Sequence, residues 1–434
     1  MRRRLLTAAS LVRRYPTIGV SLLIILFLLG VAVYTLIHLP FSEAADLWNA
    51  GTEAWGNYPK LAQPAWTNWL RREDLPETTI VYTEDIERTS EVLSDTMRRN
   101  TTALAFEYEY TTYPGEVTFF FTFAYAAKRP LVTLTWVKPD GSEIQVFRDT
   151  PQRGSARVVL SDMLDLESLF GDGSKEGALQ GTYVFRIEAV TFEEEGFSMD
   201  GRLVVYGRVY GLAGTDDQRR DLSLALLWGV PIALMCGVLA TIGTTVVGFI
   251  LAAIGAWFGG WVDSTVQRVT EVGMMLPFLP TIMMIGRFYT TNIWLIMGLV
   301  IAFNIFTGAV KSYRALFLQV RTASYIEAAR IYGASSRRII FRYMIPQIGP
   351  VLLPQFILGI PRFVYLEASL ALLGVVDPRL LTWGKVLAEG RDGLFAGHYY
   401  WVSEPLFLLI LTGVAFSMLG YALDRVLNPR LRSM

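Results

Sequence analysis

Few residues of this chain have the types and spacing that catalysis or metal binding requires. Its 434 residues include one cysteine, Cys236, and two histidines, His38 and His398. One cysteine excludes a disulfide framework and a multi-thiolate metal site, and two histidines leave little for histidine-based metal chemistry. Gly384-Lys385 lacks the upstream glycine and the following hydroxyl residue of a phosphate-binding loop. The sequence therefore predicts no catalytic, cofactor or metal site.

The stretch 323–350 has the residue pattern of two short helices joined by a turn. Ser324 and Glu327 have the spacing of a capping box, which predicts that a helix begins at Ser324. Arg330 follows Glu327 by three residues, so the two side chains can form an ion pair on one helix face. Gly333 suits the left-handed residue that ends such a helix.

The second helix of this stretch is predicted to be amphipathic. Ser335 or Ser336 can cap it, and Pro346 is expected to stop or kink it before the next apolar run. Its apolar side holds Ile339, Ile340, Tyr343 and Met344, and its basic side holds Arg337, Arg338 and Arg342. The pattern indicates two helices held at an angle against the end of a helical bundle.

These residues resemble the cytoplasmic signature of the permease subunits of ATP-binding-cassette (ABC) importers. That signature is Glu-Ala-Ala, three residues, Gly, nine residues and then Ile-x-Leu-Pro. The chain matches it at Glu327-Ala328-Ala329, Gly333 and Pro346, with the same spacing. It departs at Tyr343, where the signature has Ile, and at Ile345, where it has Leu; both changes keep an apolar residue.

Further motifs over residues 214–434 resemble the dipeptide/oligopeptide (and nickel) branch of that family. They are Gly214-Thr215-Asp216, Arg220-Asp221, Gly259-Gly260-Trp261-Val262-Asp263, Leu366-Glu367-Ala368-Ser369-Leu370, Trp383-Gly384-Lys385 and Leu387-Ala388-Glu389-Gly390-Arg391. Arg219 stands where the branch has a glycine, and the long segment 42–212 replaces its usual short connection.

The resemblance implies a transporter whose parts are separate chains. The expected partners are a homologous second permease, two ABC ATPases that hold ATP and Mg²⁺, and an extracytoplasmic solute-binding protein. The ATPase-coupling residues would be Glu327, Ala328, Ala329, Gly333 and Pro346, with the first helix docked in a groove of an ATPase. The competing interpretation is an amphipathic helix that rests on anionic lipid.

Apolar runs long enough to cross a bilayer must position this loop. Residues 17–39 carry no charge and exceed the roughly 20 residues that a crossing helix needs. Five more spans are expected at about 226–257, 271–288, 293–311, 349–373 and 404–424. Prolines within the spans are expected to kink them, namely Pro231, Pro277, Pro280, Pro354 and Pro361.

The distribution of charge predicts the orientation of these spans. The chain has 39 basic and 39 acidic residues, but residues 41–220 hold 29 acids and 18 bases, a net charge of −11, and the rest has a net charge of +11. Basic residues lie before the first span, in 311–350 and in the C-terminal tail. The positive-inside rule therefore predicts a multi-pass protein of the bacterial inner membrane, with both termini cytoplasmic and 42–212 outside. The zero net charge argues against nucleic-acid binding.

Residues 42–212 are expected to fold as a β-rich domain. Strands are predicted at 118–125, 131–137, 143–147, 182–190 and 202–210, with a hairpin turn at Pro139-Asp140-Gly141. A sandwich or a barrel would suit this pattern, and 42–100 could add helices. Two roles stay open: an acidic, solvated outer domain, or a docking surface for the solute-binding protein.

Arg362 and Glu367 lie in or near the span at 349–373, where charged side chains usually face a cavity or a partner. Glu367 and Arg362 are therefore candidates for the transport pathway. The alternative is an ion pair or a helix-end contact that fixes packing.

The sequence predicts a membrane α-helical bundle of six spans, the ABC importer permease fold, with an inserted extracytoplasmic β-rich domain. The expected parts are 1–41 (cytoplasmic N-terminus and anchor), 42–212 (β-rich domain) and 213–434 (five-span permease domain with coupling loop 312–350). The predicted function is a non-enzymatic permease subunit for di- or oligopeptides, with nickel less favoured. A membrane receptor or scaffold that uses the β domain as a sensor is the alternative, and a membrane-embedded enzyme ranks third.

Overall fold

The chain folds into two compact units. The computed structural model describes residues 16–51, 54–85, 88–94, 97–125, 128–171, 177–192, 197–375 and 377–427. Residues 16–49, 224–396 and 402–427 form the helical unit, and Ala50–Ser223 with Gly397–Trp401 form the β unit. The basic residues ahead of the first span and the end of the C-terminal tail, which helped to predict the orientation, lie outside the described residues.

The β unit is a sandwich of two antiparallel sheets. Its strands are β1 (Thr79–Tyr82), β2 (Thr89–Ser94), β3 (Met97–Tyr108), β4 (Glu116–Ala124), β5 (Leu131–Val137), β6 (Glu143–Asp149), β7 (Gly154–Val159), β8 (Gly181–Thr191) and β9 (Ser198–Tyr206). One sheet has the order β1-β9-β4-β7 and the other β2-β3-β8-β5-β6. Short helices cover Leu160–Met163 and Leu166–Phe170, and 3₁₀ turns cover Ala65–Leu70 and Thr83–Asp85.

Alternation along the strands explains why the two sheets face each other. In β5 every second residue is buried, and Leu134 and Trp136 are 0% exposed. They share a core with Phe119 and Leu203 of the other sheet. Burying such a side chain contributes roughly 1.5–3 kcal/mol. Of the two predicted β architectures, the sandwich is the one that forms.

The β5–β6 hairpin turns where the sequence predicts it. Gly141 has a φ of 84°, and its N–H donates to the carbonyl oxygen of Lys138 at 3.0 Å. The Asp140 carboxylate accepts hydrogen bonds from the Ser142 hydroxyl at 2.7 Å and from the Ser142 N–H at 2.8 Å. These two hydrogen bonds stabilise the ionised carboxylate and so lower the pKa of Asp140.

Among the described residues, the helical unit has four helices that are long and apolar enough to cross a membrane. They are Pro16–His38, Leu222–Phe258, Ser336–Leu372 and Tyr400–Val426. Two bent pairs, Gly260–Met275 with Phe278–Phe288 and Ile293–Ile305 with Gly308–Arg321, make six if each pair is one span. Shorter helices cover Phe41–Asn49, Ser324–Ile331, Trp383–Glu389 and Arg391–Phe395.

Two of the predicted spans are bent. The predicted span 271–288 is broken before Pro277, and its two helices meet at 73°. Leu276 there has a ψ of 131°, since the residue before a proline is pushed towards extended backbone. The predicted span 293–311 is bent by 45° at Phe306-Thr307. The break at Pro277 confirms the kink predicted there, whereas the bend at Phe306-Thr307, which has no proline, was not predicted.

The segment after β9 forms a tight turn that is closed by a buried ion pair. Arg220 Nε donates to Asp216 Oδ2 at 2.5 Å, and both side chains are almost fully buried. Arg219 has a φ of 68°, in the left-handed region that a glycine adopts without strain. Its guanidinium donates hydrogen bonds to Glu116 Oε2 at 2.6 Å and to the carbonyl oxygen of Tyr58 at 2.9 Å. The geometry therefore explains why a glycine suits this position and what the arginine gains instead.

Arg219→Gly should leave the β unit more stable than Arg219→Ala does. Both substitutions remove the same contacts, but alanine keeps a Cβ in the left-handed region at a cost of about 1 kcal/mol. The expected difference in melting temperature is about 2–4 °C, measured by calorimetry on the full chain in nanodiscs. An alanine variant that melts higher than the glycine variant would contradict this account of the turn.

Candidate functional site

The loop helix (Ser324–Ile331) begins where the sequence predicts, but without the predicted capping box. Its N-cap is Ala323, which has extended backbone and offers no side-chain acceptor. Ser324 is already the first helical residue, so its hydroxyl lies one position too late to accept the orphan N–H groups of the first turn. The helix therefore begins at the right residue for a different reason.

The end of the loop helix is the left-handed turn predicted at Gly333. Gly333 has a φ of 76°, and its N–H donates to the carbonyl oxygen of Arg330 at 3.0 Å. The Ala334 N–H donates to the carbonyl oxygen of Ala329, also at 3.0 Å. This pair of bonds is the Schellman arrangement. A Cβ at position 333 would meet no atom within 4 Å, so the need for glycine comes from the backbone angle and not from crowding.

A single apolar side chain fixes the loop helix to the helical unit. Ile326 is 2% exposed and belongs to a cluster with Trp257 and Phe317. The predicted apolar side of the next helix joins the same cluster through Ile339, Ile340 and Met344, with Tyr343 packed at its margin. The basic side, with Arg337, Arg338 and Arg342, is exposed as predicted.

The predicted ion pair between Arg330 and Glu327 does not form. The Arg330 guanidinium lies over the Trp257 ring, 5.0 Å from its centroid, and the described residues hold no ion pair between Arg330 and Glu327. An arginine gains more over a buried tryptophan than from an exposed carboxylate three residues away. Glu327 and Ala328 are exposed and Ala329 is half-buried, so the face that carries the signature is available to another protein.

Two exposed apolar residues at the end of the loop helix were missed by the sequence analysis. Ile331 is 85% exposed and Tyr332 is 90% exposed. The sequence could have indicated Ile331, because it lies five helical positions after the buried Ile326. That spacing places the two side chains about 140° apart on the helix. An apolar residue so far from the buried stripe is a candidate contact for a partner.

Pro346 does not stop the second helix, so the stop is wrong of the two outcomes predicted there, a stop or a kink. Ser335 caps that helix by accepting a hydrogen bond from the Arg338 N–H. A π-helical turn at Ile339–Met344 then joins it to Ile345–Leu372, so the helix runs unbroken from Ser336 to Leu372. The proline lacks an N–H and crowds the carbonyl four residues earlier, and the wider π turn just ahead of it relieves that contact.

Ion pairs brace the helices that support the loop. Arg314 donates to both carboxylate oxygens of Asp263, with the Nε–Oδ1 bond at 2.6 Å. Lys311 and Glu271 join the same two helices at 3.4 Å. Arg321 Nη1 donates to the carbonyl oxygen of Ala256 at 2.9 Å. These contacts explain the aspartate of the Gly-Gly-Trp-Val-Asp motif, because a bidentate carboxylate–guanidinium pair fixes orientation as well as distance.

The two candidate pathway residues lie in different surroundings. Arg362 lines two neighbouring cavities, of about 280 and 580 Å³, and its Nη2 lies 3.3 Å from Asn304 Oδ1. Glu367 is 5% exposed and lines neither cavity. Its carboxylate lies beside the Thr382 hydroxyl and Gly384, at the first turn of Trp383–Glu389. The geometry gives Arg362 access to a cavity and Glu367 a helix-end contact.

The cavities at Arg362 are lined by a mixture of polar and apolar side chains. The polar side chains are Thr244, Thr245, Asn304, Thr307, Tyr313, Gln355, Tyr365, Ser369 and Ser417. No group of three or more metal-binding side chains occurs among the described residues. Such a lining can hydrogen-bond a polar solute and can pair with an anionic one.

Comparison with known proteins agrees with this geometry. Residues 244–433 match the family described as binding-protein-dependent transport system inner membrane component. The chain is 28% identical over 222 residues to the dipeptide transport system permease protein DppC of Bacillus subtilis, covering 50% of this chain and 68% of that protein. It is 30% identical over 210 residues to the peptidoglycan transport system permease protein YejE of Agrobacterium fabrum, covering 46% of this chain and 54% of that one.

The family match begins after the β unit and includes the whole of the loop helix, the π turn and the cavities at Arg362. The helical unit is accordingly that of a multi-pass inner-membrane protein. Residues 244–433, the part of the chain that the family model matches, are therefore similar to the binding-protein-dependent transport system inner membrane components.

Proposed function

We propose that this chain is the permease subunit of an ATP-driven ABC importer and forms the transmembrane pathway for di- or oligopeptides. The observation that carries the proposal is the loop helix, which Ile326 fixes to the helical unit while Glu327 and Ala328 stay exposed. The peptide cargo rests on the relatives, whose names specify dipeptide and peptidoglycan transport.

The proposed assembly contains a homologous second permease, two ABC ATPases and an extracytoplasmic solute-binding protein. ATP and Mg²⁺ would be held by the ATPases, and this chain would have no enzymatic role. Each bent helix pair would count as one crossing, which gives six spans with both termini cytoplasmic and 42–212 outside. The long β unit would then lie on the side from which the solute-binding protein delivers its cargo.

The proposed coupling runs through three physical connections. An ATPase would contact the loop helix at Glu327, Ala328 and the exposed Ile331 and Tyr332. Ile326 would pass its displacement to the cluster that contains Trp257. The helix Ser336–Leu372 would carry it from the same cluster to Arg362 at the cavities. ATP binding can change the transport state only as far as the assembly binds ATP more tightly in one state than in the other.

Uptake by the reconstituted complex tests this function. Proteoliposomes that contain this chain, its co-purified ATPases and the delivery protein should accumulate a labelled peptide only when ATP is present. Nickel serves as the competing cargo in a parallel arm. The control is the same assembly with the phosphate-loop lysine of the ATPases replaced. Equal peptide uptake by vesicles that lack this chain would refute the proposal, as would ligand binding without transport, which the receptor alternative predicts.

The docking role of the β unit has its own test. A chain that lacks residues 45–210 but still inserts in the membrane should lose uptake that depends on the delivery protein. Unchanged uptake would leave the β unit as an acidic, solvated outer domain.

A further inference from the structure

The outer face of the four-stranded sheet carries a row of cationic and aromatic side chains. Strand pairing sets Tyr82 opposite Arg202, Arg202 opposite Phe120, and Phe120 opposite Arg157. Directly paired residues of antiparallel strands point to the same face, so these four side chains form one row across β1, β9, β4 and β7. The other face of the sheet, with Phe119 and Leu203, packs in the core of the sandwich.

This row lines an open cavity of about 740 Å³ that lies within the β unit. The volume falls in the range of roughly 300–1,000 Å³ that is typical of small-molecule sites. Tyr206 and Arg219 also line it, with the Arg219 guanidinium 4.2 Å from the centroid of the Tyr206 ring. Burial raises the pKa of Tyr206 to about 12, so its phenol stays neutral and adds no negative charge to the cavity.

Two of the arginines at this cavity lack a partner for their charge. The described residues provide no ion pair to Arg157 or Arg202, and Arg202 Nε is buried without a hydrogen-bond partner. The Arg202 guanidinium lies over the Phe120 ring, 4.6 Å from its centroid, which orients it along the sheet surface. Arg219, in contrast, is paired with Glu116. A buried guanidinium nitrogen without an acceptor is costly unless a ligand supplies one. Unpaired arginines are notable here because the segment 41–220, which contains nearly all of the β unit, carries a net charge of −11.

Acidic residues lie at a different part of the same cavity. Asp200 is two residues before Arg202 on β9, and Glu84 follows β1 in the turn Thr83–Asp85. The Thr83 hydroxyl holds this turn against Gly201, at 3.0 Å from its carbonyl oxygen. Asp200 is paired with the exposed Arg88 at 2.7 Å. Two residues along a strand span roughly 6.6 Å between their Cα atoms, so the acidic and the basic side chains start from distinct positions along the cavity.

We propose that this cavity binds a short peptide with free termini, its carboxylate on Arg202 and Arg157 and its ammonium group beside Glu84 and Asp200. The aromatic row would cover the apolar part of the ligand. The choice of a peptide rests on the proposed function and deepens it, because the permease would itself hold the cargo outside the membrane.

Three forms of one peptide test the charges separately. The probes are trialanine, its C-terminal amide and its N-acetyl form, titrated calorimetrically into the full chain in nanodiscs without ATPases. Trialanine should bind about tenfold or more tightly than the amide, since a charge-assisted hydrogen bond is lost. The N-acetyl form should also bind more weakly than trialanine.

Arginine variants test whether Arg202 and Arg157 cause the difference in affinity between trialanine and its amide. Arg202→Gln should bring the affinity for trialanine down to that for the amide, and Arg157→Gln, on an exposed edge strand, provides a second test if the first variant folds poorly. The matched control is Arg186→Gln, which removes an arginine paired with Glu143 on the other sheet and should leave binding unchanged. No saturable binding of trialanine, or equal binding of all three forms, would overturn the proposal. Binding without ATP-driven uptake would uphold this site and reject only the transport function.

Discussion

The Gly333→Val substitution is expected to lower ATP-driven uptake by about tenfold or more while the chain still inserts and still binds its partners. Gly333 has a φ of 76°, and a left-handed backbone costs an ordinary residue about 1–2 kcal/mol, with more for a β-branched one. The Schellman turn would open, and the loop helix would no longer be held at a fixed angle to the rest of the helical unit. ATP hydrolysis should continue without matching transport, which the ratio of peptide imported to ATP hydrolysed measures in proteoliposomes.

The control for this substitution changes chemistry without changing the backbone. Gly333→Asn adds a polar side chain, but asparagine tolerates the left-handed conformation, and there is no atom within 4 Å of the new Cβ. The asparagine variant should keep most of the coupling. Equal losses in both variants would mean that the position is sensitive to any side chain, as expected if an ATPase contacts Gly333 directly. Normal coupling in both would remove Gly333 from the coupling site.

The second large effect is expected at Arg362. Arg362→Gln should raise the KM for peptide uptake by about tenfold or more, because a charged donor at the cavities would no longer pair with an anionic group of the cargo. Glu367→Gln is the matched substitution five residues along the same helix. Its side chain faces Thr382 and Gly384 away from the cavities, so uptake per assembled complex should stay within about twofold.

Uptake kinetics of the two variants distinguish a residue of the transport pathway from a residue that only fixes helix packing. Uptake is measured against peptide concentration after assembly has been verified by co-purification of the ATPases. A high KM in Glu367→Gln with a normal KM in Arg362→Gln would reverse the assignment. A fall in assembly for Glu367→Gln without a change in KM would agree with its helix-end position.

The sequence predicted the elements whose cause is local. Gly333 at a helix end and Pro139-Asp140-Gly141 between two alternating runs each have a mechanism that acts within a few residues, and both turns form. The apolar and basic sides of the second loop helix follow from helical spacing alone. The family resemblance of the loop agrees with the match over residues 244–433.

The features that were missed depend on contacts between distant residues or on the detailed course of the backbone. Arg330 lies over Trp257, which is 73 positions earlier in the chain, so no local rule could prefer it to Glu327. No pattern in the sequence predicted the π turn that lies just before Pro346. The row of Tyr82, Arg202, Phe120 and Arg157 comes from four strands whose order in the sheet is set by long-range pairing. The functional roles of Glu327, Ala328, Ala329, Gly333, Pro346 and Arg362 stay predictions.

The unbroken helix Ser336–Leu372 has a mechanical consequence. Its 37 residues correspond to a rod about 55 Å long. The π turn at Ile339–Met344 divides the rod unequally, with a three-residue arm on the loop side and 28 residues on the other. A rod that rotates about such an off-centre pivot is a lever, and its long arm moves several times as far as its short one. Ile339, Ile340 and Met344 of the cluster lie in this turn, so the proposed coupling would reach the helix at the pivot, where a small rotation becomes a larger displacement at the far end of the long arm.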